Sequence, residues 1–444
     1  MDRRIFLGTT ALGLMSPALS ALADDKKKRK PKDGHPRDGG PGSGTGGTGS
    51  TGGGVKSRVI VIGGGMGGAT VAKYLRLWGD GIAVTLIERM PTYTSHIMSS
   101  LVLTGQRTLA SQVYNYDKLR NLYGITTVFG DVVAIDPVAV KVRLADGTTL
   151  QADRIVLAPG IDFDPVPGLG TSDRMPHAWK AGPQTALLAN QLAAMPSRGV
   201  AVLTIPPTPY RCPPGPYERA CLVADWLKVN KPGSKLIVLD ANPDFVAEKG
   251  NFASAFQGLH AGVIEYHTNA EVTQVDPATM TLTTTAGPVR GDVVNLIPRQ
   301  RAGHLVAATG LNNANGGRFA GVNVLSYVST VAGADKLHVI GDASATTQPK
   351  AGHIANQEAK VCADAIVRLL GGGAPDPAPV TNSACYSTIT MSQAAWLTAV
   401  FQYDAATASM TTVPAASGAS AGWNTENFRE MNKWFTALMA DSFA

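Results

Sequence analysis

Gly63, Gly65 and Gly68 follow the apolar run Val59-Ile-Val-Ile62 at the spacing of a phosphate-binding turn, with Gly67 inside it. The first glycine of such a turn lets the chain reverse. The second lets the backbone approach a pyrophosphate, and the third lets a helix pack on its strand. Glu88 closes the next apolar run, 25 positions after Gly63, where a carboxylate accepts hydrogen bonds from a ribose; Arg89 stands beside it. The chemistry implied is dinucleotide binding. A second reactive side chain is Cys212, in the proline-stiffened stretch Arg211-Cys-Pro-Pro-Gly215. A cation next to a thiol favours the thiolate, the nucleophilic form.

These groups need elements to position them. Val59 to Ile62 reads as a strand buried on both faces, Ala69 onward as a helix, and Ala83 to Ile87 as the next strand. Gly124 to Ile135 reads as one strand, with Val132 and Val133 placed to flank an adenine. A hairpin turns at Asp146-Gly147. Asp153 to Gly160 forms a buried strand whose end, Ala158-Pro159-Gly160, turns beside the nucleotide. A second α/β unit begins near Phe163, with strands at 199–205 and 235–240 around a helix over 218–229. Its first turn reads Pro206-Pro-Thr-Pro209 instead of a glycine motif. Prolines lack the amide hydrogens a phosphate needs, so this unit is not expected to bind NAD(P)H. Lys336 to Asp342 is a strand ending in Gly341-Asp342, and a helix past Gly352 runs to Leu370.

With 444 residues, 44% hydrophobic and 16% charged, the chain has the composition of a multidomain globular protein. Its net charge of +6 is unevenly placed: nine Lys and Arg against five Asp put +4 of it in residues 1–54. No basic stripe suggests nucleic acid, and no residue cluster suggests a metal. Residues 1–23, with Arg3-Arg4-Ile5-Phe6-Leu7 and Ala21-Leu22-Ala23, read as a twin-arginine signal peptide directing export to the periplasm. Residues 24–57 read as a basic, Gly-rich linker. No later stretch is expected to span a membrane; Ala394 to Phe401 is apolar but short.

Together these residues make the chain resemble the flavoprotein subunit of flavocytochrome c sulfide dehydrogenase, a relative of the sulfide:quinone reductases. The resemblance is carried by Arg211-Cys-Pro-Pro-Gly-Pro-Tyr-Glu-Arg219, Asn295-Leu-Ile-Pro298, Gln300-Arg-Ala-Gly303, His338-Val-Ile-Gly-Asp-Ala343 and Cys385-Tyr-Ser387. It implies an α/β fold with two Rossmann-like dinucleotide-binding domains of glutathione-reductase type plus a small C-terminal domain. The expected segments are FAD-binding domain residues 58–162 and 293–373, a second Rossmann-like domain at 163–292, and a C-terminal domain at 374–444. In flavoproteins of the glutathione-reductase type, the Gly-Asp pair corresponding to Gly341-Asp342 sets a carboxylate on the ribityl chain. The helix after it, here starting near Gly352, points its N-terminus at the isoalloxazine.

The resemblance further implies a periplasmic FAD-dependent oxidoreductase that oxidises sulfide or another reduced sulfur compound and passes electrons to a c-type cytochrome subunit. Cys212 falls at a redox cysteine of the family and Glu218 at an acid that shuttles protons to sulfur. Two departures are expected. No cysteine occurs over 313–330, where the second redox thiol is looked for, so the standard disulfide is expected not to form. Cys362 and Cys385 then read as structural thiols, and Cys221 as a thiol on the helix after Cys212. His96 stands where some members tether FAD through a cysteine, which makes a histidyl-flavin bond an alternative to non-covalent binding. Loss of the second thiol leaves open a dehydrogenase with a non-sulfide donor, or a non-catalytic flavin electron-transfer subunit. No Cys-x-x-Cys-His occurs, so haem is expected on a partner.

Overall fold

A computed structural model describes residues 55–444. The expected signal peptide and nearly all of the expected linker lie outside the described residues.

The strand β1 (Ser57–Ile62) is β-branched and buried along its last four residues. It lies parallel between β2 (Ile82–Glu88) and the strand Arg154–Leu157, with Val61 opposite Leu86 on one side and Val156 on the other. Thr126–Phe129 extends this sheet beyond β2, and Leu337–Val339 extends it beyond Arg154–Leu157. The helix α1 (Met66–Trp78) begins three residues before the expected Ala69, because Gly67 and Gly68 are helical. The stretch Gly124 to Ile135 also departs from expectation. Thr126–Phe129 and Val132–Asp136 are separate strands in different sheets, broken at Gly130-Asp131. The second of them joins the hairpin strands Lys141–Leu144 and Thr149–Gln151.

The second Rossmann-like unit is a four-stranded parallel sheet ordered Ile264–His267, Lys235–Asp240, Val200–Ile205, Val293–Asn295. Residues 293–295 therefore belong to this sheet, and the expected return to the first domain at residue 293 comes too early. A long helix, Gly215–Asn230, packs its apolar face into this unit's core through Ala220, Cys221, Ala224 and Leu227.

The C-terminal segment forms an antiparallel sheet of Val380–Thr388, Ala394–Asp404 and Ser409–Thr412. A final helix, Thr425–Phe443, follows. Asn424 caps it by accepting a hydrogen bond from the Asn427 amide at 2.8 Å. Its Met431, Phe435, Leu438, Met439 and Phe443 enter the same core as α1. Phe443 stacks on Tyr93, 5.2 Å between ring centres. The apolar stretch Ala394–Phe401 lies in the second strand of this sheet, and no helix of the described residues is long and apolar enough to cross a membrane.

Candidate functional site

A cavity of about 660 Å³ opens where the strand ends of the first domain meet the second unit and the C-terminal sheet. Gly63 turns the chain into it at φ +100°, and a side chain there would meet the Ala158 carbonyl at 2.4 Å. A Cβ on Gly68 would sit 1.7 Å from the Gly63 carbonyl oxygen, so helix and strand can approach only through glycine. Gly65 differs. A Cβ there would meet only Tyr93, in ordinary van der Waals contact at 3.6 Å, and no side chain caps the helix that starts after it. The first amide hydrogens of α1 are thereby left for an anion. Gly67 packs under Ile340, 3.3 Å from the position of a Cβ.

The Glu88 carboxylate lines the cavity and is fixed by backbone donors: Gly64 N–H at 2.6 Å and Arg89 N–H at 2.8 Å. Arg89 lines the cavity too and pairs with Asp131 at 3.5 Å. Val132 faces the cavity, but Val133 points out and is 46% exposed. Of the two valines expected beside an adenine, only Val132 is brought to the cavity, since neighbours along a strand face opposite ways. Ala158, Pro159 and Gly160 line the same wall.

Asp342 enters from the opposite side. Its Oδ1 is enclosed without a hydrogen-bond partner, and burial raises its carboxyl pKa against the opposing pull of Arg211 and Lys350. Gly341 precedes it at φ +71° and donates its N–H to the buried Glu358 at 2.6 Å. Gly352 begins the helix Gly352–Leu370, and a side chain there would strike Ile97 at 2.8 Å. An uncapped helix start, a glycine beside it and a buried carboxylate oxygen lacking a donor fit the pyrophosphate and polyol of FAD.

Cys212 lies in the same cavity. Its backbone is left-handed at φ +58°, held by its N–H donating to the Lys350 carbonyl at 2.6 Å and by Gly215 N–H donating to its own carbonyl at 2.8 Å. Arg211 does pull the thiol toward ionisation, but burial pushes it up further, and nearby Cys385 and Glu218 add to the rise. The expected thiolate is not the resting form, because desolvation outweighs the single cation.

Cys385 also lines this cavity, near Cys212. Cys385 is therefore not held in a core as expected but stands with Cys212 on one cavity, both as free thiols. The strand Val380–Thr388 brings Cys385 in. His353, at the start of the Gly352–Leu370 helix, anchors that strand by accepting the Ala384 N–H on Nδ1 at 2.9 Å. Burial and then Glu248 raise the Cys385 thiol to about 12. Cys221 and Cys362 are fully buried in the cores and do not line the cavity. At the position once expected to hold a thiol, Arg318 pairs with Asp164 at 2.8 Å and Phe319 lies beneath the Lys350 ammonium.

Glu218 faces the two sulfurs from the first turn of Gly215–Asn230. Burial raises its carboxyl to about 7, against the hydrogen bond it accepts from Thr388 Oγ1 at 2.8 Å. The folded protein thus keeps a proton that the unfolded chain, near 4.5, gives up. That contribution to stability is present below pH 4.5 and lost as pH rises through 7. Glu218→Gln is expected to flatten this fall, on the order of 2 kcal/mol, seen as a shallower decline of Tm from pH 5 to 8. An identical decline in both proteins would refute the assignment.

His96 lines the cavity as a neutral ring. Burial keeps it well below the usual histidine range, helped by Arg211 and Lys180. Its Nδ1 accepts the Ala181 N–H at 2.8 Å, so the proton sits on Nε2. In the second unit, Asp240 ends its strand as a ribose-binding acid would. It instead accepts hydrogen bonds from Tyr217 Oη at 2.7 Å and Tyr266 Oη at 2.8 Å, so this carboxylate is already engaged within the protein.

Three family descriptions match the chain: pyridine nucleotide-disulphide oxidoreductase over residues 57–194, the central part of the sulfide dehydrogenase (flavocytochrome c) flavoprotein chain over 185–298, and the flavocytochrome c sulphide dehydrogenase flavin-binding domain over 377–443. The sulfide dehydrogenase flavoprotein chain of Chlorobaculum thiosulfatiphilum is 47% identical over 45 residues, which is 94% of that sequence and 10% of this one. The chain belongs to the flavocytochrome c sulfide dehydrogenase flavoprotein family. Apoptosis-inducing factor homolog B of Dictyostelium discoideum is 39% identical over 106 residues, 24% of this chain. The match spans only 25% of that relative's own length. The sulfide:quinone oxidoreductase of Aquifex aeolicus shares the fold, with a TM-score of 0.67 at 18% identity over 87% of this chain and 92% of that one. The flavocytochrome c sulfide dehydrogenase signatures in this chain therefore cover both sides of the cavity, the Cys212 side and the Cys385 side.

Proposed function

We propose that this protein is an FAD-dependent oxidoreductase that oxidises sulfide through a Cys212–Cys385 disulfide and passes electrons to a c-type cytochrome in the periplasm. The observation carrying the proposal is that two thiols from distant parts of the chain line the cavity that also holds the dinucleotide cradle. Gly65, Glu88, Ala158 and Asp342 would hold FAD, which supplies a two-electron acceptor able to release electrons singly to haem. The engagement of Asp240 by Tyr217 and Tyr266, with the proline-rich turn at 206–209, favours a donor other than NAD(P)H.

Hydrosulfide attacks one sulfur of the disulfide. An S–S bond forms to the incoming sulfur, leaving a persulfide, and the old S–S bond breaks to release the other cysteine as thiolate. Both cysteine thiols sit above their ordinary range, so the released thiolate takes the hydrosulfide proton. Glu218, near 7, is suited to carry it. The strained Cys212 backbone and the His353 anchor on the Cys385 strand keep the two sulfurs on one wall through this exchange.

Sulfide is expected to drive cytochrome c reduction by the purified protein, and NADH is not. NADH-driven reduction with no sulfide response would contradict the proposal. His96 is the tether we assign to FAD, through Nε2, since Nδ1 is engaged by Ala181. Acid precipitation is expected to retain flavin in the wild-type pellet and to release it from His96→Ala. Free FAD from the wild type would exclude the tether.

A further inference from the structure

Oxidation of hydrosulfide to zero-valent sulfur releases two electrons and one proton. A ferric haem takes an electron and no proton, so each turnover must return a proton from a buried sulfur site to water. Glu218 faces the sulfurs but its carboxylate is enclosed, and it needs a further acceptor on the outer side.

The strand carrying Cys385 leads to one. Ser387 and Thr388, two and three residues past Cys385, reach different carboxylates. Thr388 Oγ1 donates to Glu218 Oε1 at 2.8 Å, and Ser387 Oγ donates to Glu248 Oε1 at 2.6 Å. Glu248 does not line the cavity and is partly exposed. Its Oε2 is enclosed and has no hydrogen-bond partner. It holds a left-handed backbone at φ +46°, a strained conformation that persists only where the surroundings impose it. Among the described residues no lysine or arginine forms an ion pair with it. The neighbouring Lys249 pairs with Asp244 instead. The groups facing Glu248 are Ser387 and Cys385 on the strand, Glu218 and Cys221 on the Gly215–Asn230 helix, and Asn251 on its own element. None of them neutralises it.

We propose that Glu248 is the proton outlet of the sulfur site, receiving on its enclosed side the proton given up at Cys385 and Glu218 and releasing it to water from the partly exposed side of the residue. The inference rests on the sulfide reading above. When two electrons pass to FAD from the Cys212 persulfide and the Cys385 thiol, the bond from Cys212 to the outer sulfur breaks and that sulfur leaves zero-valent. The Cys212–Cys385 bond re-forms and the Cys385 proton moves to Glu218. Before the next turnover Glu218 gives it up, and an O–H bond forms on Glu248. Glu248 then loses that proton to solvent. Burial raises its carboxyl pKa, which makes it a better proton acceptor than an exposed glutamate.

The test uses FAD-loaded Glu248→Gln, which can keep the Ser387 bond. Its single-turnover bleaching by sulfide is expected to stay within about twofold of wild type. Steady-state cytochrome c reduction in weak buffer is expected to fall about tenfold. Added imidazole restores the rate, and Glu248→Asp retains most of it. An undiminished steady-state rate overturns the proposal, and so does a slow rate that imidazole leaves unchanged. Should Glu248→Gln not fold, Ser387→Ala is read the same way: a lowered, imidazole-sensitive rate is expected, and an unaltered rate overturns it. If sulfide does not bleach the wild-type flavin, the sulfide reading itself falls, a result distinct from a bleached wild type with an indifferent Glu248 variant.

Discussion

Replacing Cys385 with serine is expected to slow flavin bleaching by sulfide about a thousandfold, as much as replacing Cys212. Both sulfurs line one cavity, and an oxygen at either place cannot accept the incoming sulfur or be regenerated as a disulfide. The two replacements act on one unit, so the double variant is expected to be no slower than either single one. Cys221→Ser and Cys362→Ser, in the cores away from the cavity, are expected to change the rate less than twofold once folded. Stopped-flow absorbance of the flavin measures the five variants against wild type. A Cys385→Ser variant as fast as wild type would remove the C-terminal thiol from the reaction and return Cys212 to acting alone.

Gly68→Ala carries the second large effect. The added methyl would lie 1.7 Å from the Gly63 carbonyl oxygen and 3.4 Å from Val61, among backbone that cannot rotate away. Either α1 lifts from β1 or the Gly63 turn opens, and both moves disturb the place where a pyrophosphate would sit. Overpacking of this kind is expected to cost about 3 kcal/mol or more and to leave the protein largely free of flavin. Gly65→Ala meets nothing closer than 3.6 Å and is expected to fold normally while binding flavin more weakly. Thermal denaturation with flavin content separates the two. Equal stability of Gly68→Ala and wild type would contradict the close approach.

The first half of this site was legible because its signals are local. Glycine spacing, an apolar run on each side and an acid at the end of β2 are properties of a short stretch, and the structure brings Gly63, Gly65 and Glu88 to one cavity. The second half depends on long-range placement. Cys385 reaches Cys212 because a strand docks on the Gly215–Asn230 helix and is pinned by His353, and no nearby residue announces either contact. Residues 313–330, where a second thiol is looked for, instead hold Arg318 and Phe319, which serve an ion pair and a lysine. Arg211 beside Cys212 misled for a related reason, since adjacency is visible in a sequence and desolvation is not. Val133 was a matter of phase, as a one-residue shift along a strand exchanges the inner and outer face. Glu248 left no sequence signal at all; its importance comes from Ser387 arriving across the fold.

The measurement that tests the central claim most directly is anaerobic titration of the FAD-loaded protein with sulfide, followed by flavin absorbance. If Cys212 and Cys385 form the entry point for sulfur, bleaching is complete near one sulfide per flavin in the wild type and absent in Cys385→Ser. A wild-type spectrum that sulfide leaves unchanged, or one bleached equally in the variant, would contradict the account.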